Sequence, residues 1–250
     1  MVKRISRAVI LGYLSKQPFN FEAARLNCLR TLSLAGMLAE SNPYLLRIGP
    51  FMTPRERVEA ALDVHLSAHT ESILEESLKG LAIFLCDYSN NTRGKSAVSG
   101  IDLEFDRNGV RYFVAIKSGP NWGNSSQIKK MQDNFKQAAK IYRQGASALP
   151  VECINGCCYG KQRPESGDRG TYRKLCGQQF WEFITGDREI YKRIIEPIGD
   201  KARERNEAFH SRYEMAVDEC TDEFRKQFCD ASNQIQWHKL VEFVSGQQHT

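Results

Sequence analysis

SGIDLEFDRNGVRYFVAIKSGPNWGNSS (residues 99–126) decides the fold. Apolar residues alternate on either side of Asn108-Gly109, and that dipeptide adopts the left-handed backbone a two-residue hairpin turn needs, so two short antiparallel strands are predicted. Such a hairpin brings the stretch from Ser99 to Asp102, at the start of the first strand, level with Lys117, at the end of the second. One acid and one lysine therefore meet at one end of a sheet. Directly after them the chain turns rich in Gly, Asn and Ser, short side chains that let backbone approach a ligand and that hydrogen-bond readily to phosphate.

Outward from the hairpin, residues 21–40 carry apolar positions at helical spacing, and NPYLLR (42–47) reads as a turn leading into an extended piece. Thr53-Pro54 looks like an N-cap with proline at the first helical position, opening a helix through about residue 66. A second helix is predicted over roughly 70–86, followed by a polar loop into the hairpin. Beyond it, 127–144 is amphipathic and helical, PVECINGCCY (150–159) suits a buried strand, and 177–228 reads as helical with a break at Pro197. The predicted order is helix, strand, strand, helix, strand, helix, with further helices at both ends. That is an α/β fold with a mixed central sheet flanked by helices.

The chain has 250 residues, 41% hydrophobic and 26% charged, an ordinary globular balance. Its longest apolar runs fall well short of the roughly 20 residues that span a bilayer. The opening, MVKRISRAVILGYLSKQPFNFE, is read as a short helix and not as a signal peptide, because charged residues resume at once without a small-residue cleavage site. A net charge of +5 permits a polyanionic partner without requiring one. Eight cysteines in expected core segments predict reduced thiols and a cytoplasmic protein. Cys153, Cys157, Cys158 and Cys176 contain no C-x-x-C pair, and neighbours on a strand face opposite ways, so no zinc is expected from them.

Hydrolysis of a phosphodiester at neutral pH calls for divalent metal held by carboxylates, with a cation near the reacting phosphate. Asp102 and Lys117 fit those roles, and the carbonyl of Ile116 offers a further hard oxygen. The plainer reading is a solvated cross-strand pair. Candidate DNA contacts are Ser118, Asn121, Trp122, Asn124 and Ser125 after the hairpin, and Lys95 before it. A basic loop over 160–174 adds Lys161, Arg163, Arg169, Arg173 and Lys174, and its arginine guanidinium groups suit guanine edges. The alternatives are a strand-to-helix connection capped by Ser125 or Ser126, and an ordinary surface loop.

Asp102 followed by Ala115-Ile116-Lys117 resembles the PD-(D/E)XK nuclease superfamily pattern. The chain is further similar to type II restriction endonucleases that cut GG and CC half-sites around a variable centre. NPYLLR, SGIDLEF (99–105), IKSGPNWGNSSQ (116–127), GCCYGK (156–161), CGQQFWEFITGD (176–187) and QWHKLVEF (236–243) carry that likeness in order. The resemblance implies a single nuclease domain over 1–250: an N-terminal helical part (1–66), a catalytic core (67–187) and a C-terminal helical part (188–250). It implies a restriction-endonuclease-like core, Mg2+ as cofactor, double-stranded DNA as partner and a homodimer. Where the superfamily carries an acid, this chain has Ala115, whose methyl group cannot ligate a metal. Glu71, where similar enzymes also have an acid, is the expected replacement, with Glu75 and Glu104 as alternatives. Two other readings stay open: a DNA-binding protein that has lost cleavage, and a structure-selective repair nuclease.

Overall fold

A computed structural model describes residues 4–16, 21–50, 53–90, 94–145, 149–161, 170–203 and 206–247. In chain order come α1 (Arg7–Lys16), α2 (Phe21–Thr31), α3 (Leu34–Ala39), α4 (Pro43–Ile48) and α5 (Pro54–Asn90). The hairpin strands β1 (Leu103–Arg107) and β2 (Val110–Lys117) follow, then α6 (Ser125–Arg143), β3 (Val151–Cys157) and β4 (Arg173–Cys176). The remainder is α7 (Gln178–Thr185), α8 (Ile190–Arg193), α9 (Ile195–Arg203), α10 (Asn206–Phe228) and α11 (Trp237–Ser245). No helix among the described residues is long and apolar enough to cross a membrane.

Two compact units share the chain. Residues 1–19 and 74–201 form the first, and 20–73 with 202–250 form the second. The first unit is built on a mixed sheet in the order β1-β2-β3-β4, with β1 antiparallel to β2 and the other pairs parallel. Because side chains alternate across a strand, β2 feeds two cores. Val114 and Ile116 pack with Leu103, Leu81, Leu85, Phe180 and Trp181, whereas Phe113 and Ala115 pack with Met131, Phe135 and Ala138 of α6. The second unit has its own core, in which Leu29, Met37, Leu62, Val217 and Phe224 are buried.

Several expectations are corrected here. NPYLLR is not extended: the Asn42 side chain accepts from the Tyr44 and Leu45 amides at 3.0 and 3.2 Å, and Pro43 opens α4. The helix expected over 21–40 is interrupted, because Ser33 adopts an extended backbone and caps α3 through the Gly36 amide. The helices expected over 54–66 and 70–86 are one, α5. The break expected at Pro197 lies earlier, at Gly186, whose φ of 70° ends α7. Pro197 itself sits in the first turn of α9, where a missing N–H leaves no bond unmade. The N-cap of α6 is Asn124 rather than Ser125 or Ser126. Its side chain accepts from Gln127 N at 3.0 Å, and Gln127 Oε1 accepts from Asn124 N at 2.9 Å. The strand β4 occupies the end of what reads as a basic loop.

Candidate active site

The hairpin forms as its sequence predicts. Asn108 and Gly109 adopt φ of 52° and 74°, the pair of left-handed residues that a turn matching the strand twist requires. Leu103 then faces Val114 in register, and the Asp102 amide donates to the Val114 carbonyl at 2.9 Å. The Asp102 side chain reaches further along β2: Oδ2 accepts from the Ile116 amide at 2.7 Å. This bond fixes the carboxylate beside the end of β2 that carries Lys117.

Asp102 Oδ1 lies 3.6 Å from the Lys79 ammonium of α5, which is 3.0 Å from Glu76. Lys79 is a residue that sequence reasoning missed. Burial pulls its pKa down, but the hydrogen bond to Glu76 and the charges of Asp102, Glu76 and Glu75 outweigh that, and the net shift is upward. Cys158, just beyond β3, registers the same set of charges. Its thiol is pushed up to about 12, first by burial, then by Glu75 and Asp102, with Lys79 opposing. Glu75, Asp102 and Lys79 therefore share one neighbourhood, and two carboxylates contribute to it from different elements. Hard oxygen donors of that kind suit a divalent cation such as Mg2+.

Lys117 stands on the neighbouring stretch of β2. Its carbonyl accepts from the Cys158 amide at 2.9 Å, locking β2 to β3, and its ammonium lies 4.5 Å from the centroid of the Trp122 ring. The loop between β2 and α6 is held from the sheet side. Tyr159 N donates to Ser118 O at 3.0 Å, and Lys174 Nζ donates to Pro120 O at 2.6 Å. Gly119 lies directly under the outer end of the Tyr159 ring, which a Cβ there would have to displace. Asn121, Asn124 and Ser125 are left exposed along this loop.

The remaining candidates divide. Ala115 is 2% exposed and packed against α6, so its side chain faces an apolar core. Glu104 is held by Ser96 Oγ at 3.0 Å and lies 3.5 Å from the Arg111 guanidinium, partners that occupy its carboxylate away from Asp102. Glu71 is exposed and belongs to the second unit, whereas Glu75, one turn later on α5, belongs to the first. Lys95 is exposed and bridges to Leu103. Lys161 is exposed, and Arg173 on β4 lies 3.9 Å from Glu152. Arg163 and Arg169 lie outside the described residues.

The spacing of Glu75 and Lys79, four apart on one helix, was the visible signal for Lys79, but such pairs are common on solvated faces. Lys174, named with the basic loop as a residue that could meet DNA, has its ammonium on the Pro120 carbonyl.

The family model described as Type II restriction endonuclease EcoO109I matches residues 9–206 of the chain. A search of curated proteins finds no match.

Proposed function

The chain belongs to the type II restriction endonuclease EcoO109I family, enzymes that hydrolyse DNA at specific sites, and on that premise we propose that it cleaves both strands with Mg2+ held at Asp102. The site cut is short and near-palindromic, of the GG and CC half-site kind, and the active form is a homodimer whose two-fold symmetry matches that of the DNA. The observation that carries the reading is the convergence of Asp102 and Glu75 around Lys79 at the end of β2 that holds Lys117. The second acid is then Glu75, with Glu71 the other acid tested, and the Ile116 carbonyl is a third oxygen.

What bound Mg2+ supplies is Lewis acidity toward the scissile phosphate and a more acidic attacking water. The protein does the rest by position. The Ile116 amide holds Asp102 in one orientation, so one carboxylate oxygen remains for the ion. Lys117, steadied against the Trp122 ring, orients the water or neutralises charge that develops on the phosphate. Ser118, Asn121, Trp122, Asn124 and Ser125 line the loop along which the DNA backbone passes, with Lys95, Lys161 and Arg173 supplying positive charge. Eight free thiols suit a reducing compartment, the cytoplasm.

The test is digestion of unmethylated plasmid and phage DNA with Mg2+ or with EDTA, by the parent protein and by Asp102→Ala, Glu75→Ala and Glu71→Ala. Discrete bands that require Mg2+ and vanish in Asp102→Ala and Glu75→Ala are expected. Loss in Glu71→Ala with cleavage kept in Glu75→Ala would transfer the second ligand to Glu71. DNA left intact under every condition but still bound would mean that neither acid makes good the Ala115 departure, and the reading would fall.

A further inference from the structure

Away from the sheet, the second unit brings together Cys28 of α2 and His65 and His69 of α5. One donor atom from each, a ring nitrogen from either histidine and the Cys28 sulfur, lies within 4.8 Å of the others. In tetrahedral zinc such donors sit roughly 3.3–3.7 Å apart, so rotamer adjustments of about an ångström would close the set. Cys28 is buried, the His65 side chain is 12% exposed, and His69 is open to solvent.

The histidines are already oriented. His65 Nδ1 is 2.7 Å from Glu40 Oε2, and His69 Nδ1 is 3.1 Å from the His65 carbonyl. A carboxylate and a carbonyl only accept, so Nδ1 is the donor in both contacts and Nε2 is the nitrogen left for a metal. A carboxylate or carbonyl on the far nitrogen is the usual support of a metal-ligating histidine. The two rings stand 4.4 Å apart at 43°, four residues apart on one helix face. The alternative, an exposed His65–Glu40 ion pair beside an unrelated histidine, explains neither the second oriented ring nor the thiol beside it.

We propose that Cys28, His65 and His69 bind Zn2+, with Glu40 as the positioning carboxylate behind His65 and the fourth coordination position open on the solvent side of His69. Coordination exchanges the Cys28 thiol proton for the metal, one proton passing to solvent. The ion would staple α2 to α5 within the second unit, where apolar packing otherwise joins them. Zinc was not expected from Cys153, Cys157, Cys158 and Cys176, and this site uses none of them. It is independent of the Mg2+ site proposed around Asp102.

The experiment is Co2+ titration of the full-length, chelator-stripped protein, followed by absorption, with Zn2+ as competitor. Expected are the intense d–d bands of four-coordinate cobalt together with a thiolate-to-cobalt charge-transfer band, both erased by stoichiometric Zn2+. Cys28→Ser should abolish the charge-transfer band, and His69→Gln, an exposed change that leaves the core intact, should weaken cobalt binding at least tenfold. Zn2+ should also raise the thermal midpoint of the parent protein but not of His69→Gln, while Asp102→Ala behaves as the parent. Only the weak spectrum of octahedral cobalt, or tetrahedral bands unaltered in Cys28→Ser and His69→Gln, would overturn the proposal.

Discussion

Lys79 holds the charge balance of the candidate active site. Its ammonium lies within 3.6 Å of Asp102 and 3.0 Å of Glu76, and its pKa stays raised although burial opposes the charge. Without a divalent ion, the Lys79 charge offsets the carboxylates that share its surroundings. Lys79→Met retains most of the stem and removes the charge, leaving those carboxylates to repel. Stability in EDTA is expected to fall by about 1–2 kcal/mol. Added Mg2+ should then raise the thermal midpoint of the variant more than that of the parent, because the ion restores the charge that Lys79 supplies in the parent. Equal midpoints for the two proteins in EDTA would show that Lys79 carries no such load. At this scale the place of Asp102 beside the Lys117 end of β2 was legible, because an Asn-Gly hairpin fixes which residues face each other. Lys79 was not, since its partner Asp102 comes from a distant segment that only tertiary packing brings near.

The elements were read best where local chemistry is self-sufficient. The hairpin, α6 and β3 each carry period, cap or turn signals strong enough to decide their type, and they appear close to where the spacing puts them. The misreadings occur where packing overrides such signals. The polar SAHTES run (67–72) resembles a helix boundary, yet α5 continues through it with apolar residues buried on either side. The short β4 gains its place by parallel pairing with β3, which a four-residue run cannot announce. Packing at β3 also explains one glycine. Gly156 pairs with Ile116 in register, and any Cβ there would overlap the buried Phe180 ring of α7. Gly156→Ala is therefore expected to cost about 2–3 kcal/mol, because strand or helix must shift. Urea unfolding would show it as a lower midpoint with an unchanged slope, and a midpoint equal to the parent's would mean that α7 yields freely.

For the whole molecule, the ordered motifs announced the family, but not the division of the chain into two units. Each unit is assembled from separated segments, and α5 runs from one into the other, so no linker composition marks a boundary. Function sets a further requirement at this scale. The chain offers one Asp102 and one Lys117, whereas double-strand cleavage breaks two phosphodiesters on antiparallel strands. A two-fold dimer presents two such sites in the matching antiparallel relation. The homodimer proposed above predicts that the protein in solution has twice the 28.5 kDa chain mass by light scattering. The stronger consequence concerns mixed dimers. Co-expressing the parent chain with an excess of tagged Asp102→Ala, then purifying the mixed species, gives particles with one competent site. On a supercoiled plasmid with a single recognition site these should accumulate nicked circles, while the parent dimer yields linear DNA. Linear product from mixed dimers at the parent's rate would mean that one site cuts both strands in turn, and the assignment of one strand to each subunit would have to be abandoned.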